Sequence, residues 1–561
     1  MFARTKRSGR HEYLQIVHND RVDGKIRQRV IGTLGRLDRL RESGDLGRLL
    51  SSLSRYEEHT AVLTAHQRGE LAEARTRRIG PDLVFGRLWE ELGIRSVLEE
   101  RLGTRRFEFN VERAVYLTVL HRLFDPGSDR ACEEWRHRYR IEGTEDLGIH
   151  HLYRAMAWLG ELLPREEQAG ATPFAARTTK DVIEEALFAR GRDLFSSLDL
   201  VFFDTTSLYF EGAGGECLGR HGHSKDHRPD RPQMVVGAVL DNDGRPLCSE
   251  LWPGNTTDVT TLLPVVDRLR GRFGVGELTV VADRGMVSRK TIEALEGRDR
   301  GVHYILGARM RRVKEVRDAV LSRPGRYRVV RGPRESKKDP APLKVKEVWV
   351  GERRYIVCLN GEQAAADRRA REAILAALEQ QLRRGDKSLV GNKGYRRYLK
   401  TRAAGHFEID ESKVREEARY DGTWVLTTDL GMDAAEVALK YKELWRVESL
   451  FRSVKSVLET RPIYHQSDTA IRGHVFASFL ALVLLSELER RMAARGWTAE
   501  WKRLKDDVDA LEEIYVETEH DALILRSRTE GEAGKAIRAA GVALGPTVRF
   551  VEHTDQGWGC G

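Results

Sequence analysis

The chain has 561 residues, more than one hydrophobic core organises, so roughly three to five structural units are expected. Lys and Arg outnumber Asp and Glu by 95 to 86, a formal charge of +9 with a sequence pI near 9.2, which favours a polyanionic partner. The five cysteines (Cys132, Cys217, Cys248, Cys358 and Cys560) are scattered and form no Cys-x-x-Cys pair, which excludes a disulfide framework or structural zinc finger and suits a reducing cytoplasm.

The first ten residues are basic but lack the apolar core of a signal peptide, so export is not expected. From Glu12 the chain alternates through Tyr-Leu-Gln-Ile-Val, turns over Asn19 to Gly24 and returns through Arg-Gln-Arg-Val-Ile-Gly, the pattern of a hairpin. This basic β element and a following helix occupy 1–55, and Leu37 to Arg78 is charged and expected to be mostly helical. Helix-period leucines and aromatics from Pro81 onward, interrupted at Asp125-Pro126-Gly127, predict a helical N-terminal domain over 79–190, suited to DNA binding.

At Ser196 the character changes to apolar runs of strand length: Leu198 to Phe203, Met234 to Leu240, Pro246 to Trp252, Leu278 to Ala282 and His303 to Leu306. Helical stretches Thr257 to Arg272 and Ser288 to Leu295 separate the later ones, which makes 196–308 a mixed α/β layer. Residues 309–424 are highly charged and mixed, and are expected to be an α+β insertion. A helix then starts at the N-cap Asp433, with Glu436 placed for a capping box, within a second core segment 425–490. Val475 to Leu485 is far short of the ~20 apolar residues that span a bilayer and predicts a buried core helix. Residues 491–561 carry no legible motif.

Three acidic residues stand out in this frame. Asp204 closes Leu-Asp-Leu-Val-Phe-Phe-Asp, Asp283 closes Leu-Thr-Val-Val-Ala-Asp, and Glu448 lies in a charged helix. Strands that end on Asp bring carboxylates to a sheet edge, where a later helix can add a third and divalent cations can be held for phosphodiester chemistry. Each residue also has a plain structural role open to it: turn former or cap for the two aspartates, solvated ion pairs for Glu448. Asp283-Arg284-Gly285 leads toward a helix start, where Arg284 and the helix end attract phosphate or merely turn the chain. Tyr441, Glu448 and Lys455 recur every seven residues on one helix face, with Arg452 one turn beyond Glu448.

As an ordered set these features resemble the bacterial insertion-sequence transposases of the DDE type, in the group with a Tyr…Arg…Glu…Lys helix signature. The resemblance spans roughly Leu198 to Leu485 and includes Gly222-His-Ser-Lys-Asp-His-Arg-Pro-Asp-Arg-Pro-Gln233, Gly244-Arg-Pro-Leu, Pro253-Gly-Asn-Thr-Thr-Asp258 and Phe451-Arg-Ser-Val-Lys455. One position departs: the signature Arg, three residues after the Tyr, is Leu444 here, and Arg446 falls on another face.

The resemblance implies an RNase H-like mixed-sheet catalytic core with an inserted α+β region. It also implies a triad of Asp204, Asp283 and Glu448 holding two Mg²⁺, with Mn²⁺ able to substitute. Tyr441 and Lys455 would contact transposon-end phosphates. The expected reaction is nicking at the element's ends and transfer of the freed 3′-hydroxyl into target DNA. Partners would be double-stranded DNA, as terminal repeats and target, and further protomers in a synaptic complex, with no membrane involved. A structure-specific nuclease and a domesticated DNA-binding protein are the alternatives.

Lys225, Arg228 and Arg231 are placed to meet phosphates. Cys217, His221, His223 and His227 match no standard zinc spacing, and Asn255 and Asp258 are assigned to a turn and cap. Tryptophans such as Trp445 are expected in the core, and Trp424 is a candidate base-stacking residue.

Overall fold

In the computed structural model the described residues are 2–22, 25–43, 73–103, 105–168, 176–191, 199–297, 301–336, 339–384, 393–401, 406–517 and 521–552. They fall into two compact units, one from the described parts of 1–80, 506–534 and 543–560, the other from 81–505 with 535–542.

The first unit holds two antiparallel sheets. Strands β1 (Phe2–Ser8), β2 (His11–Val22) and β3 (Lys25–Arg36) form a meander, so the hairpin gains an N-terminal third strand whose polar, exposed residues carry no apolar alternation to betray it. The helix Leu37–Glu42 follows. The expectation of helix as far as Arg78 is corrected: β4 (Glu73–Arg78) is a strand, and 44–72 lies outside the described residues. Its charged sequence becomes extended because its ladder partner comes from far along the chain, Glu512↔Arg78 through Glu517↔Glu73.

The second unit is built on a nine-stranded sheet. Its strands are β5 (Leu200–Tyr209), β6 (Gln233–Asp241), β7 (Pro246–Pro253), β8 (Leu278–Ala282), β9 (Val302–Gly307), β10 (Arg328–Arg331), β11 (Leu343–Val350), β12 (Arg353–Leu359) and β15 (Thr423–Thr428). Between β12 and β15 the small pair β13 (Leu399–Thr401) and β14 (Phe407–Ile409) stands apart. The order is β10-β11-β12-β15-β9-β8-β5-β6-β7, with β5, β8 and β9 mutually parallel and the remaining neighbours antiparallel. Strand β5 is buried along almost its whole length, as its near-continuous apolar run requires. The helix Leu262–Gly271 packs Leu262, Val265, Val266 and Leu269 on Val201, Phe203 and Val280.

The region expected as an insertion is part of this sheet. Strands β10 to β12 continue it through β15, and Met310, Val348, Tyr355, Val357 and Val425 make their own core. Alternating charges such as Lys346 and Arg354 hid this, because both are buried with specific partners rather than solvated.

The helices between Gly80 and Gly191 do not form a separate N-terminal domain either. Val111–Phe124 and Ile149–Leu159 pack around the helix Asp468–Ala493, which is long and apolar enough to cross a membrane but has 78% of its apolar window buried in protein. A helix apolar on all sides needs covering, and sequence pattern does not say by what. The approach is close: a Cβ on Gly473 would lie 1.9 Å from the Met156 carbonyl oxygen, and one on Gly160 would lie 2.0 Å from that of Thr469. Gly473→Ala is therefore expected to cost about 1–3 kcal/mol in a denaturant titration, through backbone displacement rather than lost contact.

In the first unit, β16 (Glu512–Glu517), β17 (Asp521–Arg526) and β18 (Val548–Glu552) order with β4 as β18-β17-β16-β4.

Candidate active site

Parallel pairing between β5 and β8 runs from Leu200↔Thr279 to Phe203↔Ala282, and the next residue on each strand is an aspartate. Asp204 and Asp283 thus stand side by side where the parallel ladder stops. Asp204 closes the apolar run but not the strand, which its following Thr205-Thr206-Ser207 also indicated; β5 continues to Tyr209 on its antiparallel partner β6, through Asp204↔Ala238. Burial, reinforced by the Asp283 and Asp258 charges, pushes the Asp204 carboxyl up to about 6, opposed by the nearby Lys225 charge and by the Thr205 N–H, which donates to Asp204 Oδ1 at 2.7 Å.

Asp258 is the acidic residue that the sequence assignment missed. It begins the short turn Asp258–Thr260, but it does not cap the next helix, whose N-cap is Thr261; its side chain faces the site instead. Its carboxylate accepts from Thr205 Oγ1 at 2.8 Å and pairs with the Lys225 ammonium at 3.1 Å. Lys225 in turn donates to the Thr205 carbonyl and hydroxyl oxygens at 2.8 and 2.9 Å. Asp258 and Asp283 oxygens both come within 4 Å of where a Gly285 Cβ would be. The signal was the Pro253-Gly-Asn-Thr-Thr-Asp258 motif, whose turn residues concealed a carboxylate aimed elsewhere.

Glu448 is not brought into this group. The predicted continuous helix is two, Ala434–Lys442 and Trp445–Ser456, joined by a tightened turn in which Leu444 N–H bonds to Tyr441 O and Val447 N–H to Leu444 O. Asp433 caps the first, accepting from Ala435 N–H at 2.9 Å. The second packs on β5 and β6 with Glu448 exposed. Among the described residues no group of three or more His, Cys, Asp or Glu side chains stands at metal-holding spacing. The chemistry of the Asp204 and Asp283 pair nonetheless fits a hard divalent cation: carboxylate oxygens only, crowded, and one of them disfavoured as a bare anion.

Residues 196–484, which contain every element of this site, match the family described as transposase DDE domain. The chain belongs to that family. Residues 2–65 match the IS1634 family transposase N-terminal domain. A curated protein of Sinorhizobium fredii (strain NBRC 101917 / NGR234), named "Putative transposase y4zB", is 38% identical over 79 residues, which is 14% of this chain and 21% of that relative's length. A cryo-EM structure of the piggyBac transposase synaptic complex with hairpin DNA aligns at a TM-score of 0.36 and 10% identity, covering 77% of this chain and 78% of that one.

The family signature residues are engaged within the protein. Tyr441 donates to Asp283 Oδ1 at 2.8 Å, and burial together with the Asp283 charge raises its phenol well beyond the ordinary range, so it stays a donor. Gly307 makes room for it: a Cβ there would lie 2.5 Å from the Tyr441 hydroxyl and 2.8 Å from Arg284 N. Lys455 Nζ lies 2.7 Å from Asp226 Oδ1, and burial lowers its pKa against the opposing pull of Asp226. Arg446, near the position of the family Arg, donates to Asn242 O at 3.0 Å and braces the β6–β7 turn together with Lys440.

Of the other cations, Arg284 and Arg452 are exposed, Arg228 pairs with Asp230 at 2.9 Å beneath the Tyr209 ring, and Arg231 pairs with Glu211 at 2.8 Å. Lys225, partly exposed, is paired with Asp258 and Thr205 beside Asp204 rather than being a free surface charge. Trp445, expected in the core, is 60% exposed one turn before Glu448. Trp424 lies in β15 opposite Cys358, with the Lys442 ammonium 5.4 Å from its ring centroid.

Proposed function

We propose that this chain is a DNA transposase that cleaves insertion-sequence ends and transfers the freed 3′-hydroxyl strand to target DNA. The observation that carries the proposal is the juxtaposition of Asp204 and Asp283 at the end of the β5–β8 parallel ladder. Strands β7-β6-β5-β8-β9, three antiparallel and then two parallel additions, support an RNase H-like core around that pair. Asp204 and Asp283 would hold Mg²⁺ or Mn²⁺, two ions per site, and Glu448, exposed on the helix that packs on β5 and β6, would have to move toward them to serve as the third carboxylate. Such cations, when bound, supply Lewis-acid stabilisation of the phosphoryl oxygens.

The chain's own residues do the positioning. Tyr441 fixes the Asp283 carboxylate, and the Lys225–Thr205–Asp258 chain of bonds fixes the backbone beside Asp204. Exposed Arg284 and Arg452 flank the site and attract the phosphate backbone. Both steps are displacements at phosphorus, first by water and then by the 3′-hydroxyl, with no covalent enzyme intermediate. Terminal repeats and target duplex are the DNA partners, and bringing two element ends together calls for two or more protomers. Chromosomal DNA as substrate places the reaction in the cytoplasm, at the nucleoid.

The test is incubation of the purified protein with labelled duplexes flanking its own gene, with Mg²⁺ or with EDTA. Metal-dependent nicks plus joined products are expected. Nicks without joining would instead identify a structure-specific nuclease, and binding without either a DNA-binding protein.

A further inference from the structure

Lys455 and Arg461 converge on one oxygen. Asp226 Oδ1 lies 2.7 Å from Lys455 Nζ and 2.5 Å from the Arg461 guanidinium. The other carboxylate oxygen, Oδ2, is buried and has no hydrogen-bond partner. The Asp226 side chain is only 4% exposed, while Lys455 and Arg461 retain 15% and 26%. Two cations therefore share a single anion, and the cluster reaches solvent through its cations rather than through Asp226. The anion's second acceptor is left unused, an arrangement that costs free energy in a low-dielectric site.

The loop that delivers Asp226 is built to hold it there. Lys225, the preceding residue, is tied to Asp258 and Thr205. His227, the following residue, has φ 57°, in the left-handed region that a non-glycine residue occupies only under strain. His227, Pro229 and Asp230 are exposed, so the segment has solvent to move into.

We propose that Asp226 is a built-in competitor that occupies, while DNA is absent, the phosphate position the family resemblance gives to Lys455, and that Arg461 is a second cation of that subsite. The inference rests on the transposase reading. A phosphodiester offers the same single negative charge as Asp226 but presents two free oxygens to the two cations, and its arrival would release the strained His227 turn. Asp226 would accordingly lower the affinity for DNA and sharpen discrimination against weakly held duplexes, since every phosphate must first displace it.

The experiment measures binding of the full chain to a labelled duplex flanking its gene, in EDTA, across a salt series. Asp226→Asn is expected to bind about 5–10-fold more tightly, with the log–log salt slope steeper by about 1 because a cation is freed for phosphate. Adding Lys455→Ala to that variant should erase the gain. Equal or weaker binding by a folded Asp226→Asn protein would overturn the proposal. Arg461→Gln, with Asp226 intact, gives an independent reading should Asp226→Asn not fold: a slope shallower by about 1 supports the subsite, and an unchanged slope reduces the triad to a structural ion cluster. A parent protein that binds no duplex overturns the subsite and the DNA reading together. Parental binding that none of these variants alters overturns the subsite alone.

Discussion

Asp204→Asn is expected to abolish strand cleavage, by about 10³-fold or more, while leaving duplex binding nearly unchanged and making the metal-free protein more stable. The two halves have one cause. Asp204 is a carboxylate placed where burial and two neighbouring aspartates disfavour its charge, pushing it from the ordinary 3.8 up to about 6. A raised carboxyl pKa means the folded protein holds this proton more tightly than the unfolded chain. The resulting contribution is present below about pH 4 and is lost as pH rises through about 6. At pH 8 the ionised parent carries a penalty of at most about 3 kcal/mol that Asn, neutral throughout, does not.

Asn can also keep the 2.7 Å bond from the Thr205 N–H, so little else is lost. Melting temperatures of both proteins in EDTA at several pH values check this, with the difference closing toward acid. A variant less stable than its parent at neutral pH would show that Asp204 is a structural carboxylate rather than one held ready for a cation. A variant that still cuts normally would remove it from the catalytic site.

Glu184→Ala is expected to cost about 3–5 kcal/mol, enough to deplete the folded protein. Glu184 is 1% exposed, and its carboxylate meets Lys180 at 3.0 Å, Arg268 at 2.6 Å, and the Ser249 N–H and hydroxyl at 2.9 and 2.8 Å. Arg268 also pairs with Asp181 at 2.9 Å and with Glu250. Burial alone would raise the Asp181 carboxyl, but Lys180 and Arg268 more than offset it and hold it below the usual range. Removing this anion takes one counter-charge from both Lys180 and Arg268, which keep only Asp181 and Glu250, and leaves the buried Ser249 N–H and hydroxyl without their acceptor.

The network joins the helix Thr179–Gly191 to β7 and to the helix Leu262–Gly271, so its loss would loosen the helical layer from the catalytic sheet. Glu184→Gln, which retains an acceptor for Ser249, should lose less. Urea titrations rank the two variants, and equal small losses would mean the network is solvated.

The strands of the catalytic sheet from β5 to β9 were legible because buried strands need apolar runs of fixed length, and those runs stand unbroken between turn residues. The acidic pair was legible for the same reason: a charge immediately after such a run is conspicuous. Asp258 was not, since Pro, Gly, Asn and Thr around it describe a turn equally well whether its side chain caps a helix or crosses to Thr205. Trp445 was misjudged because tryptophan's bulk favours burial in general, whereas its place in the first turn after the break at Glu443 and Leu444 leaves it exposed.

By itself, then, the sequence determined the local periodicities: which segments are strands or helices in the core, where Asp204 and Asp283 fall on them, and which motif set they belong to. Tertiary structure alone decided the long-range pairings. It placed β10 to β12 in the same sheet as β5 to β9, joined β4 to β16, and wrapped the helices after Gly80 around Asp468–Ala493. It also turned Lys225 and Lys455 inward onto acidic partners. Periodicity is set by neighbours within a few residues. Strand order and charge pairing are set by which surfaces meet after the chain has crossed hundreds of residues, and one sequence carries no local mark of that.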